Sequence, residues 1–347
     1  MSGTLPRILV VGIGGIGGTL AAHLSELEAD VTGLCRNEEI LRAVERDGYQ
    51  LIGDGGARKV AARVTSAVAQ EAVYDFIFLA TQPPAVEAAA KLVAANLAPD
   101  GRMVVLQNGL CEARIARIVG KKRTVGAVVA WGASMPEPGV YDRTSSGGFV
   151  VGSLTGEIDD KLKFLGGLLE SIGPVELTSN LLGARWSKLA LNCAISSLGT
   201  IGGDRLGPLV RVRRYRRLGL EIFTEVASVA KAESVALEKV AGTVDLEWLA
   251  LKEAETRSAS PSLAAKHGLL LGVGLRYRRL RSSMLAAIER GKPAAVDFLN
   301  GEVVARGRTH GLPVPINAMV VDAVHDIAQG RSTSSRALLD EVYERTR

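Results

Sequence analysis

An apolar run from Ile8 to Val11 opens the pattern, stops at Gly12, and gives way to a stretch around Leu20, Ala21 and Leu24 with helical apolar spacing. A short run followed by a 3.6-residue period predicts a buried strand, a tight turn and a helix. Val31–Cys35 predicts the next strand, and a helix follows from near Glu38. Gly48–Val64 alternates apolar and polar residues around Gly53–Gly56, which predicts a hairpin inserted between these units. Further buried strands are expected at Asp75–Thr81, Arg102–Gln107, Val125–Ala130, Gly148–Gly152 and Val175–Thr178, with Pro83 and Pro84 opening a helix after the first of them. Strands alternating with helices predict an α/β fold with a mostly parallel sheet. From Leu181 the period is helical to the end, so the expected domains are residues 1–180, of Rossmann type, and 181–347, all helical. The charged stretch Glu233–Ser262 interrupts these helices and reads as a lid or a surface insertion.

Composition narrows the class. At 47% hydrophobic, 347 residues suffice for sizeable cores. No apolar run reaches the roughly 18 residues of a membrane span. The first apolar run is already a fold strand rather than a signal peptide. Three cysteines without a close pair fit a reducing compartment, so a cytoplasmic location is expected. Four scattered histidines show no metal-ligand spacing, and no metal is expected. A net charge of +5 is mild for this length and suits acidic small molecules better than nucleic acid. Neither nucleic acid nor membrane is expected as a partner; a homodimer stays open.

Within the first turn, Gly12, Gly14 and Gly17 fit G-x-G-x-x-G. The first glycine permits the turn, the second lets a pyrophosphate approach the backbone, and the third lets helix pack on strand. The helix N-terminus adds free N–H groups and a positive dipole end. After the second strand stand Arg36 and Asn37, where an NAD-preferring fold carries an acid. Arg36, helped by Asn37, reads as a selector for the 2′-phosphate of NADP(H); the alternative is a solvated loop arginine. Asp30 precedes the strand and reads as turn chemistry. Gln82 and Asn108 follow strand ends, where this architecture places ligands.

In the helical half, Lys188, Asn192 and Ser196 are spaced by four and share one face of an apolar helix. A lysine there bears a desolvation cost unless a ligand or carboxylate faces it. A held cationic donor is what carbonyl reduction needs, because hydride addition leaves an alkoxide to protonate. The alternative is a lysine that reaches solvent beside a capping asparagine.

Taken in order, Gly12–Gly17, Gln107–Gly109, Trp186-x-Lys188 through Asn192, Ser282–Met284 and Val296–Gly301 resemble the ketopantoate reductase family over nearly the whole chain. The resemblance implies NADPH-dependent reduction of a 2-oxo acid to a 2-hydroxy acid, in a cleft between a Rossmann domain and a helical domain. It makes Lys188 the general acid, puts Asn108 beside the nicotinamide ribose and substrate, and gives Asn192 and Ser283 the substrate's polar groups. The chain departs from the family pattern at Ala295, where a glutamate is usual, at Gln82, where a lysine is common, and at Ser196, often asparagine. These departures point to an altered substrate pocket, with a larger or less polar ketone or secondary alcohol as an alternative substrate. A weakly catalytic NADP-binding sensor is a further alternative, against which the retained Lys188 speaks.

Other features read as structural. If the Ser283 helix begins early, Arg276 and Arg279 share its face and could meet an anion; otherwise they form a solvated basic face. The five arginines of Arg211–Arg217 lack the aromatic interleaving of a nucleic-acid surface. Cys193 reads as a packed thiol, and His310-Gly311 as a helix end.

Overall fold

The structure is a computed structural model that describes residues 5–27, 29–53, 56–239, 245–257 and 260–347. The described chain groups into two compact units: one runs to Gln107 and resumes over Cys111–Leu181, the other comprises Asn108–Leu110 and Leu182–Arg347.

In the first unit the order is β1 (Arg7–Val11), α1 (Gly15–Glu26), β2 (Asp30–Leu34), α2 (Glu38–Asp47), β3 (Tyr49–Ile52), β4 (Arg58–Val60), β5 (Val64–Thr65), β6 (Tyr74–Leu79), α3 (Val86–Val93), β7 (Leu97–Val105), α4 (Glu112–Val119), β8 (Thr124–Val129), β9 (Gly132–Glu137), β10 (Val140–Ser145), β11 (Phe149–Ser153), α5 (Asp160–Leu169) and β12 (Val175–Thr178). Eight strands form one sheet in the order β12-β11-β8-β7-β6-β1-β2-β5, parallel except where β11 meets β8. The mostly apolar β1, β6 and β8 lie in its interior, buried along nearly their whole length as interior parallel strands are. The expected α/β class with a mostly parallel sheet is therefore observed.

A second sheet, β4-β3-β10-β9, was not foreseen. The expected hairpin is present as antiparallel β3 and β4, but β3 also pairs in parallel with β10, and Val64 belongs instead to β5 of the main sheet. Asp54 and Gly55 of the hairpin turn lie outside the described residues. This small sheet packs on α1: Tyr141 donates its hydroxyl to Ile13 O at 3.0 Å. Asp30 is not turn chemistry but the first residue of β2, ion-paired to Arg63 and, at 3.3 Å, to Arg7.

The second unit is helical: α6 (Leu181–Gly202), α7 (Leu206–Arg211), α8 (Arg213–Ala232), α9 (Leu246–Leu249), α10 (Glu253–Arg257), α11 (Pro261–Arg276), α12 (Ser283–Glu289), α13 (Asn300–Thr309), α14 (Pro315–Ala328) and α15 (Arg336–Glu344). Its core gathers α6, α8, α13 and α14 around Trp186, Leu218, Val303 and Val324. The described part of Glu233–Ser262 is no surface insertion, because Leu246, Leu249 and Leu251 enter that core. Lys266 and Glu255, both buried, pair there at 2.5 Å, with Lys266 Nζ also donating to Ala250 O. Residues 240–244 and 258–259 of that stretch lie outside the described residues. Among the described residues no helix is long and apolar enough to cross a membrane.

Candidate active site

The glycine loop in the first unit has the shape a dinucleotide needs. Gly12 turns the chain at φ +93°, a conformation L side chains rarely adopt. A Cβ on Gly17 would overlap Gly12 O, so only glycine lets α1 start this close to β1. A Cβ on Gly14 would meet nothing within 4 Å, which leaves open space where a phosphate group would approach the first turn of α1. That turn carries no acidic residue, and Gly14 as N-cap offers no side chain to its N–H groups. The loop therefore fits a pyrophosphate. Two further glycines serve the small sheet: a Cβ on Gly15 would crowd Ala133 O at 2.7 Å, and one on Gly18 would overlap the Tyr141 ring.

Beyond β2, Arg36 is exposed and carries no ion pair among the described residues. Asn37 caps α2, its Oδ1 accepting from Ile40 N at 3.0 Å, so its oxygen is committed to the helix. Gln82 is exposed at the turn before Pro83.

In the second unit α6 presents Lys188, Asn192 and Ser196 on successive turns of one face. Lys188 is half-buried. Burial, and then the nearby Arg185 guanidinium, push its ammonium down to about 7. Asn192 Nδ2 is buried with no hydrogen-bond partner among the described residues, an arrangement that costs energy unless a ligand atom accepts from it.

Three tethers gather other segments around this helix. Ser282 caps α12, donates to Ser196 O at 3.0 Å and meets Thr200 Oγ1 at 2.8 Å, which fixes exposed Ser283 beside the middle of α6. Gly199 makes room for that approach, since a Cβ there would sit 3.0 Å from Ser282 Cβ. Asn300, fully buried, accepts from Ser197 at 2.9 Å and donates to Cys193 O and Asn317 Oδ1. Asn317 then donates to Glu225, whose carboxyl burial raises above its usual range. Finally, Gly109 (φ +94°) lies where a Cβ would overlap Phe298 O, holding the exposed Asn108 against the segment that bears Ala295.

The structure thus brings Lys188, Asn192, Ser196, Ser283, Ala295 and Asn108 into one unit. Gly12, Gly14, Gly17, Arg36, Asn37 and Gln82 belong to the other. Ala295 begins a short 3₁₀ turn, Ala295–Phe298, so Asp297 does not share its direction; Asp297 pairs with His325 at 2.9 Å. Arg276 and Arg279 do not share a face with Ser283, because α11 ends at Arg276 and α12 starts only at Ser283. The buried polar residues Ser282, Asn300 and Asn317 were not singled out from sequence as site-building; the motifs Ser282–Met284 and Val296–Gly301 held a signal for the first two, and Asn317 had none. Cys193 is fully buried, as a packed thiol should be.

Compared with known proteins, residues 8–156 match the family model for ketopantoate reductase PanE/ApbA, and residues 180–328 match its C-terminal model. The 2-dehydropantoate 2-reductase of Caulobacter vibrioides is 28% identical over 91% of this chain and 97% of its own length. That of Pyrococcus horikoshii is 24% identical over 90% and 95%. Among solved structures, the PanE/ApbA family ketopantoate reductase of Ralstonia eutropha JMP134 superposes with a TM-score of 0.78 at 24% identity, covering 93% of this chain and 99% of that one. A D-mandelate dehydrogenase solved with NADH and anilino(oxo)acetate has a TM-score of 0.79 at 18% identity, covering 93% and 98%.

Proposed function

The chain belongs to the ketopantoate reductase PanE/ApbA family, an oxidoreductase of keto and hydroxy groups that uses a pyridine nucleotide, and from that premise we propose that it reduces a 2-oxo acid bulkier than ketopantoate with NADPH. The observation that carries the reading is the face of α6, where a lysine poised near neutrality stands one turn from a buried amide N–H₂ without an acceptor.

Gly12, Gly14, Gly17 and the first turn of α1 hold the pyrophosphate, and Arg36 takes the 2′-phosphate by a charge-assisted fork. A dinucleotide held by these residues would supply the hydride that the substrate's carbonyl carbon accepts. Lys188 donates its proton to the carbonyl oxygen as negative charge develops on it, and leaves as the neutral amine. Asn192 donates through Nδ2 to the substrate carboxylate, while Ser196, Ser283 and Asn108 hold the remaining oxygens. Ala295 supplies no carboxylate, and Asp297 is turned to His325. Without that carboxylate, the vacated side-chain volume admits a larger substituent. Gln82 removes a second charged group on the same reading.

The test is a panel of 2-oxo acids and ketones followed by NADPH absorbance. Turnover is expected to be highest with bulky 2-oxo acids and lost in Lys188→Ala. A kcat/KM of about 10⁴ M⁻¹s⁻¹ or more on ketopantoate, ordinary for an enzyme on its own substrate, overturns the altered pocket. Turnover unaffected by Lys188→Ala overturns the mechanism.

A further inference from the structure

The turn that joins α11 to α12 exposes apolar and cationic side chains together. Leu275 is 61% exposed, Tyr277 46% and Leu280 44%, although leucines elsewhere in this unit fill its core. Arg276, Arg278, Arg279 and Arg281 stand between and beside them, all exposed. Each of the three apolar side chains therefore has an arginine next to it in sequence.

The backbone holds this turn in place and leaves those side chains outside. Tyr277 N donates to Val273 O at 2.9 Å, and Leu280 N donates to Tyr277 O at 2.9 Å. Leu206 N, at the start of α7, donates to Leu280 O at 2.9 Å. A Cβ on Gly207 would sit 2.8 Å from Arg278 Cα, so a glycine in α7 is what lets the turn pack this closely. At its far end, Ser282 ties the turn to α6.

Little in the described chain answers the charge. Arg281 pairs with Glu289 at 2.6 Å, whereas Arg276, Arg278 and Arg279 have no ion pair among the described residues. Arg276 lies 5.9 Å from the centre of the Tyr277 ring, a contact that leaves its charge uncompensated. Residues 256–288 contain no aspartate or glutamate, so no acid is close in sequence until Glu289.

We propose that this turn docks the protein on an anionic lipid surface, with Leu275, Tyr277 and Leu280 entering the headgroup layer and the arginines held by lipid phosphates. Charge complementarity selects an anionic partner, and the interleaved apolar side chains select a bilayer. A folded protein that covered Tyr277 and Leu280 would also have to bury the arginines between them or meet each with a carboxylate, at a desolvation cost. At a bilayer the guanidiniums stay hydrated among phosphates while the apolar side chains lie deeper. Such a contact needs no spanning segment, so the absence of a long apolar run does not oppose it. It uses none of Lys188, Asn192, Ser196 or Ser283.

The full-length protein is sedimented with vesicles of phosphatidylcholine alone and with vesicles of phosphatidylcholine and phosphatidylglycerol in equal parts. It is expected to pellet with the anionic vesicles only, and less as sodium chloride is raised and screens the charge. At about fivefold in partitioning per arginine near the surface, Arg278→Ala with Arg279→Ala should lower binding at least tenfold. Lys121→Ala with Lys122→Ala removes the same charge from exposed positions in the other unit and should lower it less than about twofold. Tyr277→Ser with Leu280→Ser leaves the charge unchanged and should still lower binding at least fivefold, through lost apolar burial. Equal pelleting with neutral vesicles, no greater loss in the arginine pair than in the lysine pair, or full binding by Tyr277→Ser with Leu280→Ser overturns the proposal. So does a vesicle-free dimer, seen by sedimentation equilibrium, that dissociates in that last variant, because a second copy of the chain then covers the turn.

Discussion

With Lys188 near 7, the charge of one side chain sets which direction of the reaction it assists. Below that value the ammonium is present to protonate an alkoxide; above it the amine is present to accept a proton from an alcohol. Reduction kcat/KM is therefore expected to fall as pH rises through about 7, and oxidation to gain, which paired pH profiles in the two directions would check. Lys188→Ala should lower turnover by roughly two to four decades, the scale of a positioned proton donor, with NADPH affinity nearly unchanged. Arg36→Ala should weaken NADPH by about ten- to a hundredfold, the worth of a charge-assisted contact, and leave NADH nearly unaffected. Equal losses for both cofactors would remove Arg36 from the 2′-phosphate. The pair Ala295→Glu with Gln82→Lys should shift kcat/KM toward ketopantoate and away from bulkier acids, and steady-state kinetics on both would show it. At this scale, spacing by four was enough to place Lys188, Asn192 and Ser196 on one face of α6. Ser282 and Asn300 were not legible as builders of the site, because their partners lie 86 and 103 residues away.

The elements show where pattern reading succeeds and where it stops. Runs such as Phe76–Leu79 are buried on both faces and announce themselves as apolar. The hairpin β9–β10 does not, because it is mostly polar and half-exposed, and only Tyr141 is fully buried. Its turn at Pro138–Gly139 was a legible signal, but nothing local says that β10 will pair with a strand some ninety residues earlier, as Val140 does with Gln50. The doubled glycines of the first turn carry that information in hindsight, since Gly15 and Gly18 are where α1 admits the small sheet. Gly18→Ala should destabilise the protein by about 1–3 kcal/mol, as overpacking does, and Tyr141→Leu should recover part of the loss in a double-mutant cycle of chemical denaturation. Asn300→Leu leaves Ser197 and Asn317 without their partner and should cost roughly 1–3 kcal/mol in the same assay. Full stability in Asn300→Leu would show that the buried amide chain is not what ties α13 to α6.

For the whole molecule, the sequence period located two kinds of architecture along the chain, strands then helices. It could not show that three residues of the strand-rich stretch, Asn108–Leu110, group with the helices, because that assignment rests on what Leu110 packs against rather than on its local pattern. Leu110→Ala should therefore cost about 2–5 kcal/mol, the range for a buried leucine. Its signature should be faster amide exchange in α6 and α13 than in β7, although β7 is its neighbour in sequence.

That three-residue loop also limits how the fold can be inherited in pieces. A single recombination event near residue 181 would transfer the helices while leaving behind the strip of chain that fills part of their core and holds Asn108. Offspring of such an exchange would pair a loop tuned to one parent with helices tuned to the other. Chimaeras between relatives should work only when Asn108–Leu110 travels with Leu182–Arg347, so the unit of shuffling is discontinuous in the gene although the elements look consecutive.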